Sequence, residues 1–172
     1  MSLLTWSEEL QVQHPRMDAT HREFVELIGQ VESAALAADS TDAAASAAAL
    51  PALQARYDEL LAHTVEHFAQ EDRWMAATGF SADNCHSSQH SQVLAVLREV
   101  RRLAFEDQQP VLIGKLLPEL VQWFEGHAQA ADYGLAQHLK EIGFDTETGI
   151  CQSSNDAATG AISGCGAPSC SH

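Results

Sequence analysis

Positive charge is scarce in this chain. Only nine of its 172 residues are Lys or Arg, against 24 Asp and Glu, and the formal net charge is -15. So anionic a surface repels phosphate polymers and acidic lipid, so nucleic acid is not an expected partner. No stretch approaches the roughly 18 consecutive apolar residues of a membrane helix, and no span is expected either. The first ten residues hold no Lys or Arg, and Glu8 and Glu9 follow a short apolar stretch. That pattern is unlike a secretory leader and predicts a cytoplasmic location. Cysteine is sparse too: of four, Cys151, Cys165 and Cys170 lie in the last 22 residues, which excludes a disulfide scaffold. An alternating strand pattern and an internal repeat are both missing.

What the chain does have is histidine, nine in all, within an otherwise globular composition of 45% apolar and 19% charged residues. Its length suits one domain with a substantial core. Phe24, Val25, Leu27, Ile28, Val31 and Leu36 recur at helical steps and predict a first helix from Asp18 to the cap formers Asp39–Asp42. A second runs to about Ala77, with its start left open by the alanines before Pro51. Gly79 suits its stop, Ser81 and Asp83 are candidate N-caps of a third, and Val93, Leu94, Leu97 and Val100 give that helix its apolar face. Pro110 opens a fourth, whose stripe from Leu116 to Leu139 ends near Glu141 and Gly143, and Pro118 would kink it or mark its true start. Residues 1–17, with Trp6 and Pro15, read as an ordered arm. The expected fold is all-α: an up-down-up-down four-helix bundle over residues 1–145, followed by a flexible Cys-containing tail over residues 146–172.

The chemistry sits on the helices. His67 and Glu71 are four apart, as are His86 and His90, so each pair projects from one face about one turn apart. His21 shares a stripe with Phe24, Val25 and Ile28, and His127 follows Leu120 and Phe124. Asp132 comes five residues after His127, about 140° round an ideal helix, so both reach one centre only through a long side-chain lean or a π-bulge. Five inward histidines and two inward carboxylates would make a costly core unless something binds them collectively, and a metal does so most economically. Imidazole and carboxylate without thiolate suit iron or manganese, with zinc or copper as alternatives. Two six-coordinate ions offer twelve positions. Five imidazoles, two bridging carboxylates and one bridging oxide or hydroxide fill eleven, leaving one vacancy for a small diatomic.

His21 on the first helix, HFAQE at 67–71, HSSQH at 86–90 and HAQAAD at 127–132 together resemble the hemerythrin family, in particular the bacterial single-domain hemerythrins. The resemblance covers roughly residues 6–143, and Trp6 fits the aromatic residue often found in the family's arm. It implies a di-iron centre with His86, His90 and His127 on one iron, His21 and His67 on the iron with the vacancy, and Glu71 and Asp132 bridging. The implied function is reversible dioxygen binding for storage, delivery or sensing, rather than catalysis. A di-iron enzyme or repair protein that handles nitric oxide or peroxide, or donates iron, is the alternative. Repair-type relatives resemble a set with a second HxxxE motif, whereas Ala131 stands four residues after His127 here. Sensing would require a protein partner, whose identity the sequence leaves unknown.

Other candidates have plainer roles. His63, one turn before His67, is expected to hydrogen-bond inside the bundle or to orient a ligand. His14 and His138 are expected at the surface, Asp72 in solvent, and Cys85 as a small buried thiol. Phe24, Phe68, Trp74, Met75, Trp123 and Phe124 are expected to pack the core and keep water from the centre. Cys165, Cys170 and His172 could clip a soft metal or form a redox-sensitive disulfide, with Cys151 more distant.

Overall fold

In the computed structural model, which describes residues 3–80 and 85–151, four rods lie side by side. Helix α1 spans Pro15–Ala38, α2 Ala43–Thr78 and α3 Cys85–Phe105. The fourth rod is α4 (Val111–His127), a π-helical segment (Ala128–Asp132) and α5 (Tyr133–Glu141). Each rod packs on its neighbour in the chain, and α1 closes the ring against α4. The described residues contain no helix long and apolar enough to cross a membrane.

Local chemistry explains most of the boundaries. Pro15 takes the first turn of α1, where its missing N–H has no partner to lose, and His14 caps the helix by accepting from the Met17 amide at 3.4 Å. The helix therefore starts three residues before the expected Asp18. The Asp42 carboxylate caps α2 through the Ala44 amide at 2.9 Å, and the alanines that follow carry the helix through Pro51. Pro118 likewise sits inside α4. Gly79 and Gly143, at φ 68° and 62°, supply the expected left-handed stops. The candidate caps Ser81 and Asp83 lie outside the described residues.

Among the described residues, buried side chains form two apolar clusters. The larger includes Phe24, Ile28, Leu53, Tyr57, Leu60, Leu97, Leu117 and Phe124, and the smaller Val12, Met17, Trp74, Met75, Leu135, Leu139 and Phe144. Along α1 the order is Met17, His21, Phe24; along α2 it is Leu60, His67, Glu71, Trp74; along the fourth rod it is Phe124, His127, Asp132, Leu135. The polar residues thus form a layer between the two apolar clusters. Leu36, expected on the inner face of the first helix, is instead 70% exposed, because it lies five residues, about 140°, round α1 from the buried Val31, while Ala38 returns to the core.

The arm straps the bundle lengthwise. Leu4 and Leu10 enter the larger cluster, Val12 enters the smaller, and Trp6 packs at the edge beneath the Arg22 guanidinium, 4.6 Å from the ring centroid. Its 3-10 turn, Glu8–Leu10, lies against the π segment. The buried Asp18 carboxylate accepts the Val12 amide at 2.8 Å and pins the arm to α1. At the other terminus, β1 (Phe144–Asp145) pairs antiparallel with β2 (Ile150–Cys151). Flexible chain was expected from residue 146, but Arg16 binds the Thr146 carbonyl at 3.2 Å and the Glu147 carboxylate at 2.9 Å, tying this hairpin to the start of α1.

Candidate metal centre

His21 comes from α1, His67 and Glu71 from α2, His86 and His90 from α3, His127 from the end of α4 and Asp132 from the end of the π segment. All seven are buried, none more than 6% exposed. The i, i+4 spacing places each pair on one face of α2 and α3, as the sequence predicts. The five-residue step is solved by the π segment, in which five residues make roughly one turn as about four do in an α-helix. Deleting the exposed Ala130 is therefore expected to relax this segment to α-helix. The Asp132 carboxylate, Leu135 and Leu139 would keep their faces, and divalent-metal uptake would survive. Inserting an alanine there is expected to abolish uptake by rotating the carboxylate away. Metal analysis and circular dichroism of the two variants check this.

The seven side chains fall into two nitrogen groups that share the carboxylates. In the first, His86 Nε2 lies 3.2 Å from Glu71 Oε2 and 3.0 Å from Asp132 Oδ1. His90 Nε2 is 3.3 Å from Glu71 Oε2, and His127 Nε2 is 3.1 Å from Asp132 Oδ1. In the second, His67 Nε2 lies 3.0 Å from Glu71 Oε1, and His21 Nε2 lies 3.2 Å from Asp132 Oδ2. One oxygen of each carboxylate faces each group.

These approaches do not make a satisfied hydrogen-bond network. His21 Nε2 and both Asp132 oxygens lack a properly directed hydrogen bond among the described residues, despite lying close together. His90 Nε2 and His127 Nε2 meet at 3.1 Å, where at most one proton can sit between two lone pairs. Atoms aimed at a common point, rather than at one another, fit a cation at that point.

Charge makes the same demand. Burial and Asp132 push the Glu71 carboxyl up, but His67 and His86 outweigh them and hold it well below the usual carboxylate range. Asp132 behaves alike: burial raises it, and contacts with His127, His21 and His86 lower it further than burial can raise it. Two carboxylate charges in a dry interior need positive charge beside them. Burial lowers His86, yet Asp132 and Glu71 overcome it and push the imidazole up to about 9. At His127 burial prevails, and its affinity for a proton falls.

Aromatic rings wall the layer. Phe68 stacks on His90 at 3.9 Å between centroids, Trp123 stacks on His127 at 4.4 Å, and Phe124 meets His21 edge-on at 5.2 Å. His63 stands outside both nitrogen groups, its Nε2 donating to the Thr20 carbonyl at 3.2 Å.

Four expectations need correction. Asp72, although half exposed, turns its carboxylate back across the α2–α3 seam, where Oδ1 lies 3.3 Å from His90 Nδ1 and accepts from Ser87 Oγ at 2.9 Å. Cys85 is exposed rather than buried, because it points about 100° round α3 from the buried His86. His138 is buried against Phe80, since the smaller cluster extends across α5. His14 is half-buried as the cap of α1, with its ring 5.6 Å from Trp74. Gln89 escaped notice in the sequence: its Oε1 accepts from His127 Nδ1 at 2.8 Å, and only its place inside HSSQH hinted at this. Cys151 packs beside the smaller cluster, while Cys165, Cys170 and His172 lie outside the described residues.

Comparison with known proteins agrees with this geometry. The Hemerythrin HHE cation binding domain matches residues 14–139. A bacteriohemerythrin of Ralstonia nicotianae (strain ATCC BAA-1114 / GMI1000) is 35% identical over 145 residues, covering 84% of this chain and 95% of the relative. A myohemerythrin of Riftia pachyptila is 29% identical over 128 residues, covering 74% and 87%. A bacteriohemerythrin of Stenotrophomonas maltophilia (strain R551-3) is 25% identical over 140 residues, covering 81% and 84%. With a matched cation-binding domain that runs from the cap of α1 to the last turns of α5 and contains all seven buried groups, the chain belongs to the hemerythrin family.

Proposed function

We propose that this protein binds dioxygen reversibly at a non-haem di-iron centre and is not an enzyme. His86, His90 and His127 would hold one iron and His21 and His67 the other, with Glu71, Asp132 and an oxide or hydroxide bridging. The observation that carries the proposal is the division of carboxylate oxygens: Glu71 and Asp132 each turn one oxygen toward each nitrogen group. Two ferrous ions bound there would supply one electron each to dioxygen and recover them on release.

The chain's own residues suit binding better than turnover. Five imidazoles against two carboxylates leave the donor set rich in neutral ligands, which disfavours accumulation of the highly oxidised metal that carboxylate-rich sites support. The two-histidine half offers one side-chain ligand fewer and so would leave a position open to a small diatomic. Phe124 meets the fully buried His21 edge-on and is backed by Phe24, 4.6 Å away between ring centroids, so apolar rings wall that half. A dry wall limits proton delivery, and with it irreversible oxidation of the site.

The test is the visible spectrum of the anaerobically reduced protein, with two irons per chain confirmed, before and after admission of air. An absorption band that appears with oxygen and disappears on its removal is the expected result. Two irons without such a band would exclude dioxygen binding. Turnover of nitric oxide or peroxide faster than free iron supports would instead favour the enzyme.

A further inference from the structure

The two nitrogen groups differ on the side facing away from the cluster. An imidazole that presents Nε2 to a metal keeps its proton on Nδ1, and that proton needs an acceptor. In the three-histidine group two acceptors are supplied: Asp72 Oδ1 for His90 at 3.3 Å and Gln89 Oε1 for His127 at 2.8 Å. His21 Nδ1 and His67 Nδ1, in the other group, find none among the described residues, and neither does His86 Nδ1. Asp72 is itself braced, since Ser87 Oγ donates to the same carboxylate oxygen at 2.9 Å. Ser87 and His90 are three apart on α3, so one carboxylate from α2 grips two successive positions of the facing helix.

Gln89 works across the other seam, from α3 to His127 on α4. Beneath these two imidazoles lie Phe68 and Trp123, which stack on the ring faces of His90 and His127 and block their tilt. Hydrogen bond and stacked ring together fix each imidazole in plane and in rotation. His21 has an aromatic edge but no acceptor, and His67 has only tilted ring contacts.

We propose that Asp72 and Gln89 are positioning residues that make the three-histidine half the more retentive of the two metal positions. The inference rests on the di-iron reading above and adds to it an order of metal loss: the His21/His67 position first, the His86/His90/His127 position last.

Full-length protein loaded anaerobically with ferrous iron, then challenged with excess chromogenic ferrous chelator, tests it. Wild type is expected to release its iron in two phases of equal amplitude, and His21→Ala is expected to lack the fast one. Asp72→Ala and Gln89→Leu are expected to accelerate the slow phase about tenfold or more, the usual scale for a lost outer hydrogen bond to a metal-bound histidine. Asp72→Asn, which keeps an oxygen acceptor, is expected to recover most of that difference. Melting of the metal-free forms is the folding control, and because Asp72 is half exposed its variants are expected to melt with wild type. Two irons in wild type with an unchanged slow phase in both Asp72→Ala and Gln89→Leu would overturn the positioning role alone. Fewer than two irons in wild type would overturn the di-iron reading and this inference together.

Discussion

Replacing Glu71 with alanine is expected to strip both halves of the cluster, whereas replacing His21 with alanine strips only one. Glu71 is buried at the seam between the groups, with Oε1 3.0 Å from His67 and Oε2 3.2 and 3.3 Å from His86 and His90. On the proposed di-iron reading, its loss would remove one donor from each metal and also one of the two negative charges that balance them. The loss in affinity at both positions should exceed the roughly 10–100-fold carried by outer hydrogen-bond partners. His21 contacts the cluster through Asp132 Oδ2 and belongs to the two-histidine group, so its removal leaves the other group intact. Iron per chain, measured after gel filtration, is expected to fall from two to near zero for Glu71→Ala and to one for His21→Ala. Equal iron content in the two variants would contradict the shared-carboxylate geometry.

Removing the metal from the wild-type protein should lower its melting temperature by an amount rarely reached by point mutation. Each site bound at a free metal concentration about a thousand times its Kd stabilises the folded state by about 4 kcal/mol. Two such sites, at about 2–4 °C per kcal/mol for a chain of this size, amount to roughly 15–30 °C. The pH dependence above neutrality should also disappear when metal binds. Without metal, the His86 imidazole, pushed up to about 9 in the folded state from 6.5, contributes stability that is complete below 6.5 and lost as pH rises through about 9. With metal, that same nitrogen must be deprotonated to bind, so stability rises with pH only while the unfolded chain still holds the proton, through about 6.5, and then levels off. Above about pH 7, where His127, His63 and His14, lowered by burial, no longer contribute, melting curves are expected to fall with pH up to about 9 for chelated protein and to stay level for metal-loaded protein. Parallel curves would mean that the buried groups do not engage the metal.

Several features of the site could be read directly from residue spacing. HFAQE and HSSQH put their end residues on one face of any helix, because side chains four apart stack whatever the surroundings. The step of five from His127 to Asp132 demands a long side-chain lean or a wider turn as soon as both are required at one centre, and the π segment is the second of these. His21 was legible because a polar group on the stripe of Phe24, Val25 and Ile28 has no inexpensive place in an apolar core.

Other features depend on how neighbouring rods are rotated. Asp72 lies about 100° from Glu71 and looks solvated on α2 alone, and only the approach of α3 brings His90 Nδ1 within 3.3 Å. Gln89 is unremarkable until α4 places His127 beside it. The burial of His138 follows from how the smaller cluster covers that end of the bundle, which helical periodicity does not encode.

Sequence by itself determined the helical class, the number of rods and the seven polar groups that face inward, because these follow from local geometry and the cost of burying charge. Tertiary structure alone decided which oxygen faces which nitrogen group, and which imidazoles are held from behind. Those contacts join different helices, and their distances depend on rotations between rods that no interval along one chain can specify.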